Sequence, residues 1–202
     1  MVFSKIHPKN TTHSLCLITV ILLVGFCRYL PLEYPSLFNF SPAIGIFLFC
    51  GAYFRGSISW LAPVLAIFLS DLLLNSSYGK SFLEPFMLVT LASYFTVWFL
   101  GKKIGKQSNF KVWVSGAVTS ALLFHFITCT FAWMVNPAYQ KTFAGLIEAI
   151  IFGEPGFAPS YLFLRNSILG TIFFAICLRW AHLAFTNLSW KDEKVVSRQA
   201  QT

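Results

Sequence analysis

The sequence predicts an all-α fold, a polytopic membrane bundle of about six transmembrane helices, and three features carry that expectation. The 202 residues are 56% hydrophobic and only 11% charged, with a mean hydropathy of +0.68, against about 25% charged residues in an ordinary soluble domain. The apolar residues are gathered into six runs separated by charge, proline and glycine. No series of ten-residue alternating segments marks a transmembrane barrel, so helices are the expected spanning elements.

The first run, Ser14 to Cys27, follows a basic segment with Lys5 and Lys9. It resembles a signal peptide, but a small-x-small cleavage site is missing and Phe26 precedes Cys27, so an uncleaved first span is expected. The second run, Ser41 to Phe54, is short for a membrane crossing that needs about 20 residues. The third, Ile58 to Leu74, contains Pro63, and the fourth, Phe82 to Leu100, has Pro85 near its start. Prolines are tolerated there because neighbouring helices satisfy the released backbone groups.

The fifth run, Val112 to Val135, carries Ser115, Gly116, Ala117, Thr119, Ser120 and Ala121 as small residues at four-residue spacing. These suit close helix packing within the bundle or a dimer seam. The connection from Asn136 to Ser160 is long, and its stretch Phe143 to Phe152 is too short to span and too apolar for a free loop. A re-entrant or interfacial helix is expected, followed by a turn at Gly153-Glu154-Pro155-Gly156. The sixth run is Tyr161 to Phe185. The domain division is therefore a cytoplasmic tail over 1–13, a helical domain over 14–187 and a second tail over 188–202.

The net charge of +8 is distributed as short basic segments beside apolar runs, not as a basic face, so no nucleic-acid partner is expected. Lys5 and Lys9, Arg55, then Lys102, Lys103, Lys106 and Lys111, and finally Lys191, Lys194 and Arg198 fall on alternate connections and both tails. The excess of cytoplasmic lysine and arginine in membrane proteins places both termini inside. The five cysteines, Cys16, Cys27, Cys50, Cys129 and Cys177, lie in apolar runs without C-x-x-C spacing, and read as core or lipid-facing residues.

Ionisable residues at membrane depth are the default place to look for function. In this orientation Arg28, Asp71, Arg165, Lys141 and Glu148 approach the outer level, where Asn39, Asn75, Asn136 and Asn166 mark helix ends. Two readings stand: a mouth that receives a small polar ligand, or an Arg28–Asp71 pair and capping asparagines that serve the fold. Trp133, Tyr139 and Tyr161 read as an interfacial belt or a stacking surface, and His125 as a packing histidine or a proton relay. Enzyme signatures are lacking: there is no G-x-S-x-G, no H-E-x-x-H and no Walker A, and Gly101-Lys102-Lys103-Ile104-Gly105-Lys106 departs from phosphate-loop spacing. No cofactor is called for, and an intramembrane hydrolase built on Asp71 or His125 has no positive support.

The strings Arg28-Tyr29-Leu30-Pro31, Asn39-Phe40-Ser41-Pro42, Phe49-Cys50-Gly51-Ala52-Tyr53-Phe54, Ser70-Asp71, Tyr139-Gln140-Lys141-Thr142 with Gly145-Leu146, and Arg165-Asn166-Ser167 with Gly170 occur in order along the chain. Their order resembles an uncharacterised family of mostly bacterial integral membrane proteins. That family is similar to the substrate-binding S components of energy-coupling-factor vitamin transporters. The resemblance implies a six-helix bundle with an outward pocket for a small molecule, with Arg28, Asn39, Asp71, Lys141 and Asn166 in the pocket or its supporting network. It also implies a small polar metabolite and transporter subunits as partners, beside the lipid bilayer. The alternative expectation is a structural or assembly membrane protein without transport activity.

Overall fold

The computed structural model describes residues 18–24, 26–77, 85–106 and 108–199, and their side chains except those of 32, 72–77, 85 and 186–199. Every regular element among these residues is helical. After α1 (residues 18–24) come a 3-10 turn at Cys27–Tyr29, a short α2 (Leu30–Glu33) and a second 3-10 turn at Pro35–Leu37. The longer elements are α3 (Ala43–Tyr53), α4 (Ile58–Ser77), α5 (Pro85–Ile104), α6 (Phe110–Val135), α7 (Phe143–Ile151) and α8 (Ser160–Gln199).

The 11-residue α3 is apolar on every side, and a helix without a polar face belongs in the middle of a bundle. All its residues from Ala43 to Gly51 are buried, and α4, α5, α6 and α8 pack around it. Phe47, Leu48 and Phe49 meet Val97, Trp113, Ala117, Ala121, Ala175 and Leu178 in one core. The indole donors within that core are satisfied: Trp113 Nε1 donates to the Ala175 carbonyl at 3.1 Å and Trp98 Nε1 to the Ser59 carbonyl at 2.9 Å. Between α3 and α5 the backbones nearly touch. A Cβ on Gly51 would overlap the Trp98 carbonyl, and one on Gly101 would overlap the Leu48 carbonyl.

About six spans were expected, the second of them short, and the observed lengths differ from that expectation. Among the described residues, Phe110–Val135 and Ser160–Phe185 are long and apolar enough to cross a membrane, whereas Ala43–Tyr53 and Ile58–Asp71 are shorter apolar helices. The physical reason for α3 is at its ends: Pro42 starts it, and Phe54 is extended before Gly56 turns with a φ of +68°. Residues 14–17 of the first expected run and 82–84 of the fourth lie outside the described residues. The last helix runs on to Gln199, past the expected boundary at 187, because no glycine or proline follows Gly170 to stop it.

On α6, Gly116, Ala117, Ser120 and Ala121 are buried in the bundle, while Ser115 and Thr119 are exposed. These four buried residues serve packing inside the bundle. Large apolar side chains, including Leu65 and Phe68 of α4, Phe99 of α5, Phe126 of α6 and Trp180 of α8, remain exposed around the perimeter. The Cys27, Cys50, Cys129 and Cys177 thiols are all free.

Candidate functional site

The antiparallel order of the helices brings the starts of α3 and α8 together with the ends of α4 and α6. Arg28, in the 3-10 turn after α1, reaches across this end of the bundle. Its Nη1 donates to Asp71 Oδ1 at 2.5 Å and to Ser70 Oγ at 2.8 Å, and Ser70 Oγ in turn donates to the Ile67 carbonyl at 2.8 Å. The two charged side chains are 16% and 20% exposed, so removing either would leave a poorly solvated charge.

Beside this pair lies a cavity of about 250 Å³ lined by Arg28, Asn39, Ser41, Ile44, Tyr94, Phe124 and Ser167, with Pro31, Phe38 and Ala43 completing the wall. Tyr94 stands between two rings, stacked on Phe47 at 4.7 Å and on Phe124 at 5.0 Å between centroids. Both faces of the phenol are covered, which fixes its direction. The segment leading into α3 forms another wall through a type II turn. Phe38 has φ −52° and ψ 137°, Asn39 has φ +61°, and Phe40 N–H donates to the Leu37 carbonyl at 2.9 Å. This turn needs a positive φ at its third residue, which asparagine accepts more readily than most side chains. On the far side, Gly170 lets α8 lie against Phe40 and Ser41, since a Cβ there would stand 3.0 Å from Ser41 N.

Of the five residues expected in the pocket or its support, Arg28 and Asn39 line the cavity and Asp71 holds Arg28. Asn166 is 4% exposed and does not face the cavity: its Nδ2 donates to the Ser36 and Phe38 carbonyls at 3.1 and 2.8 Å. It ties α8 to the chain before α3, shaping the wall from behind. Lys141 lies elsewhere. Its Nζ donates to the Trp133 and Asn136 carbonyls at 2.5 and 2.6 Å, placing its charge at the C-terminal end of α6.

Several of the remaining polar candidates are also engaged in the fold, whereas Glu148 and Tyr161 are exposed. His125 Nε2 donates to the Ile150 carbonyl at 2.9 Å and so pins α7 to α6. Asn136 Nδ2 donates to Glu154 Oε2 at 2.8 Å, and Trp133 Nε1 to the Gln140 carbonyl at 2.8 Å. Arg165 Nε donates to Asn166 Oδ1 at 3.2 Å. Tyr139 is buried under the connection, and burial, reinforced by Glu154, holds its phenol above the ordinary range. The turn at 153–156 has positive φ at Gly153 and Gly156, which glycine permits without steric cost. The Asn75 side chain lies outside the described residues.

Tyr94 and Phe124 were not singled out from the sequence, and Ser41 and Ser167 entered only within the strings that carry the family resemblance. Their signal is weak, because an aromatic or a serine inside an apolar run is as common in packing as in a pocket. Arg179 was also missed, although a cation within the sixth run is a signal in itself. Its Nη2 donates to the Ser108 carbonyl at 2.8 Å and its guanidinium faces the Trp113 ring at 5.6 Å, far along α8 from the cavity.

The architecture is thus an all-helical bundle with one buried central helix and a small, partly polar cavity at one end. The chain belongs to a family of unknown function, DUF6580, which it matches over residues 8–190. No curated protein and no solved structure matches it.

Proposed function

We propose that this chain is a multi-pass membrane protein with both termini cytoplasmic, whose outward-facing cavity binds a small polar solute for uptake in the manner of a transporter S component. The observation that carries this reading is the cavity of about 250 Å³, which joins a fixed arginine and several hydroxyls to aromatic walls. It lies just below the ~300–1,000 Å³ of typical small-molecule clefts, and has their mixture of apolar lining and a few placed polar groups.

Membrane embedding is supported by the exposed apolar perimeter, by the two long apolar helices, and by the concentration of Arg55, Lys102, Lys103, Lys106 and Lys111 at the end opposite the cavity. With that basic end inside, the cavity opens outward. The strongly one-sided α7, with Phe143 78% exposed, fits a helix lying in the outer interface. Because the sequence carries no nucleotide-binding motif, energised uptake would rest on partner subunits.

The test is the melting temperature of the detergent-purified protein against vitamins, nucleobases and small organic acids and amides. A solute that binds only the native state raises it by mass action. The expected result is a shift in the wild type that disappears in the cavity-filling variant Ser167→Leu.

A second reading, a structural or assembly protein, is favoured by the way Asn166, Lys141 and His125 are each committed to backbone carbonyls. It requires that no solute shifts the melting temperature, and that Ser167→Leu changes stability alone.

A further inference from the structure

We infer that the cavity selects an uncharged solute with a carbonyl-type acceptor, such as a heterocyclic amide or lactam, and rejects the matching carboxylate. This rests on the solute-binding reading above and adds the chemical class. Among the described residues, Arg28 is the one charged side chain in the cavity wall, and its charge is already balanced by Asp71. Its Nη1 is used by Asp71 and Ser70, while Nη2 and Nε have no partner among the described residues. The guanidinium therefore offers donors toward a solute without offering net charge.

Two more groups point the same way. Tyr94 and Ser167 are 5% and 4% exposed, line the cavity, and hydrogen-bond to no other described residue. Both residues line the cavity, where a solute can pair with their hydroxyls. The Tyr94 ring is clamped between Phe47 and Phe124, which presents its hydroxyl in a fixed direction at little entropic cost. A carboxylate could use the same donors, but it would add a second negative charge beside Asp71. Of the other cations expected at this level, Lys141 is bound to the α6 carbonyls and Arg165 Nε donates to Asn166 Oδ1 at 3.2 Å, and neither lines the cavity. Like charges at close range in a poorly solvated site repel each other.

The experiment measures binding of matched pairs to the full-length protein in detergent: nicotinamide against nicotinate, benzamide against benzoate, and uracil against its 6-carboxylate. Wild type is expected to bind the neutral member of at least one pair at least about tenfold more tightly. Asp71→Asn, which keeps the shape and leaves the Arg28 charge unbalanced, should lose or reverse that preference. Tyr94→Phe, which keeps the ring stack and removes one hydroxyl, should weaken the neutral member. The ligand-free melting temperature of each variant reports on folding separately. A wild-type preference for the acid overturns the inference while leaving the binding reading standing. Binding unchanged in both variants places the probe outside this cavity and overturns the inference, and no binding by any member of any pair removes both.

Discussion

Arg28 Nη1 and Asp71 Oδ1 lie 2.5 Å apart, so one ion pair joins the turn after α1 to α4 at the rim of the cavity. The pair both holds the fold and sets the charge of the site. Replacing Arg28 by methionine leaves Asp71 charged and poorly solvated, and should destabilise the protein by about 3 kcal/mol. The double variant Arg28→Met, Asp71→Leu should recover a large part of that loss. Denaturant titration in detergent measures both, and additive losses would contradict the pairing.

The crossing of α3 and α5 makes a second prediction. Gly51→Ala and Gly101→Ala each put a methyl group into the carbonyl backbone of the other helix, which can be relieved only by separating the helices. Each should cost about 1–3 kcal/mol. Gly116→Ala meets the flexible end of the Ile104 side chain instead, and should be milder in the same titration.

Asn166→Ala removes two hydrogen bonds from the buried tie between α8 and the chain around Phe38. A stability loss of about 1–3 kcal/mol is expected. Because the tie shapes the cavity wall, solute binding should weaken as well. Binding at wild-type strength would mean that the wall is held by other contacts.

Lys141→Met leaves two carbonyls at the end of α6 without their ammonium partner. Water can replace it at this exposed position, so the stability change should stay within about 1 kcal/mol. Solute affinity should be unchanged. A large loss of affinity would return Lys141 to the binding site that the sequence resemblance implied.

The helical class, the α7 segment and the turn after it were legible because they depend on local signals: apolar run length, proline and glycine. The Arg28–Asp71 contact was legible as one of two open readings, since opposite charges at the same depth have few other partners. The destinations of Lys141 and Asn166 were not. Each satisfies backbone carbonyls made available by a neighbouring segment, and that depends on how the chain turns between helices. The cavity wall was equally hidden, because Tyr94, Phe124 and Ser167 come from three helices and share a surface only after packing. The central position of α3 was not read from the sequence, although its short, uniformly apolar run agrees with it. Gly51 lies within the second run and Gly101 just past the fourth, and nothing local announces that they cross.

The most direct test of an outward-facing cavity is the sidedness of a thiol placed within it. Ser167→Cys and, separately, Lys103→Cys are introduced into a cysteine-free background and exposed to a small membrane-impermeant thiol reagent in intact cells and after permeabilisation. The account predicts that Ser167→Cys reacts in intact cells and that Lys103→Cys reacts only once the inner face is opened. The reverse pattern, with Lys103→Cys labelled from outside and Ser167→Cys only after permeabilisation, would contradict it.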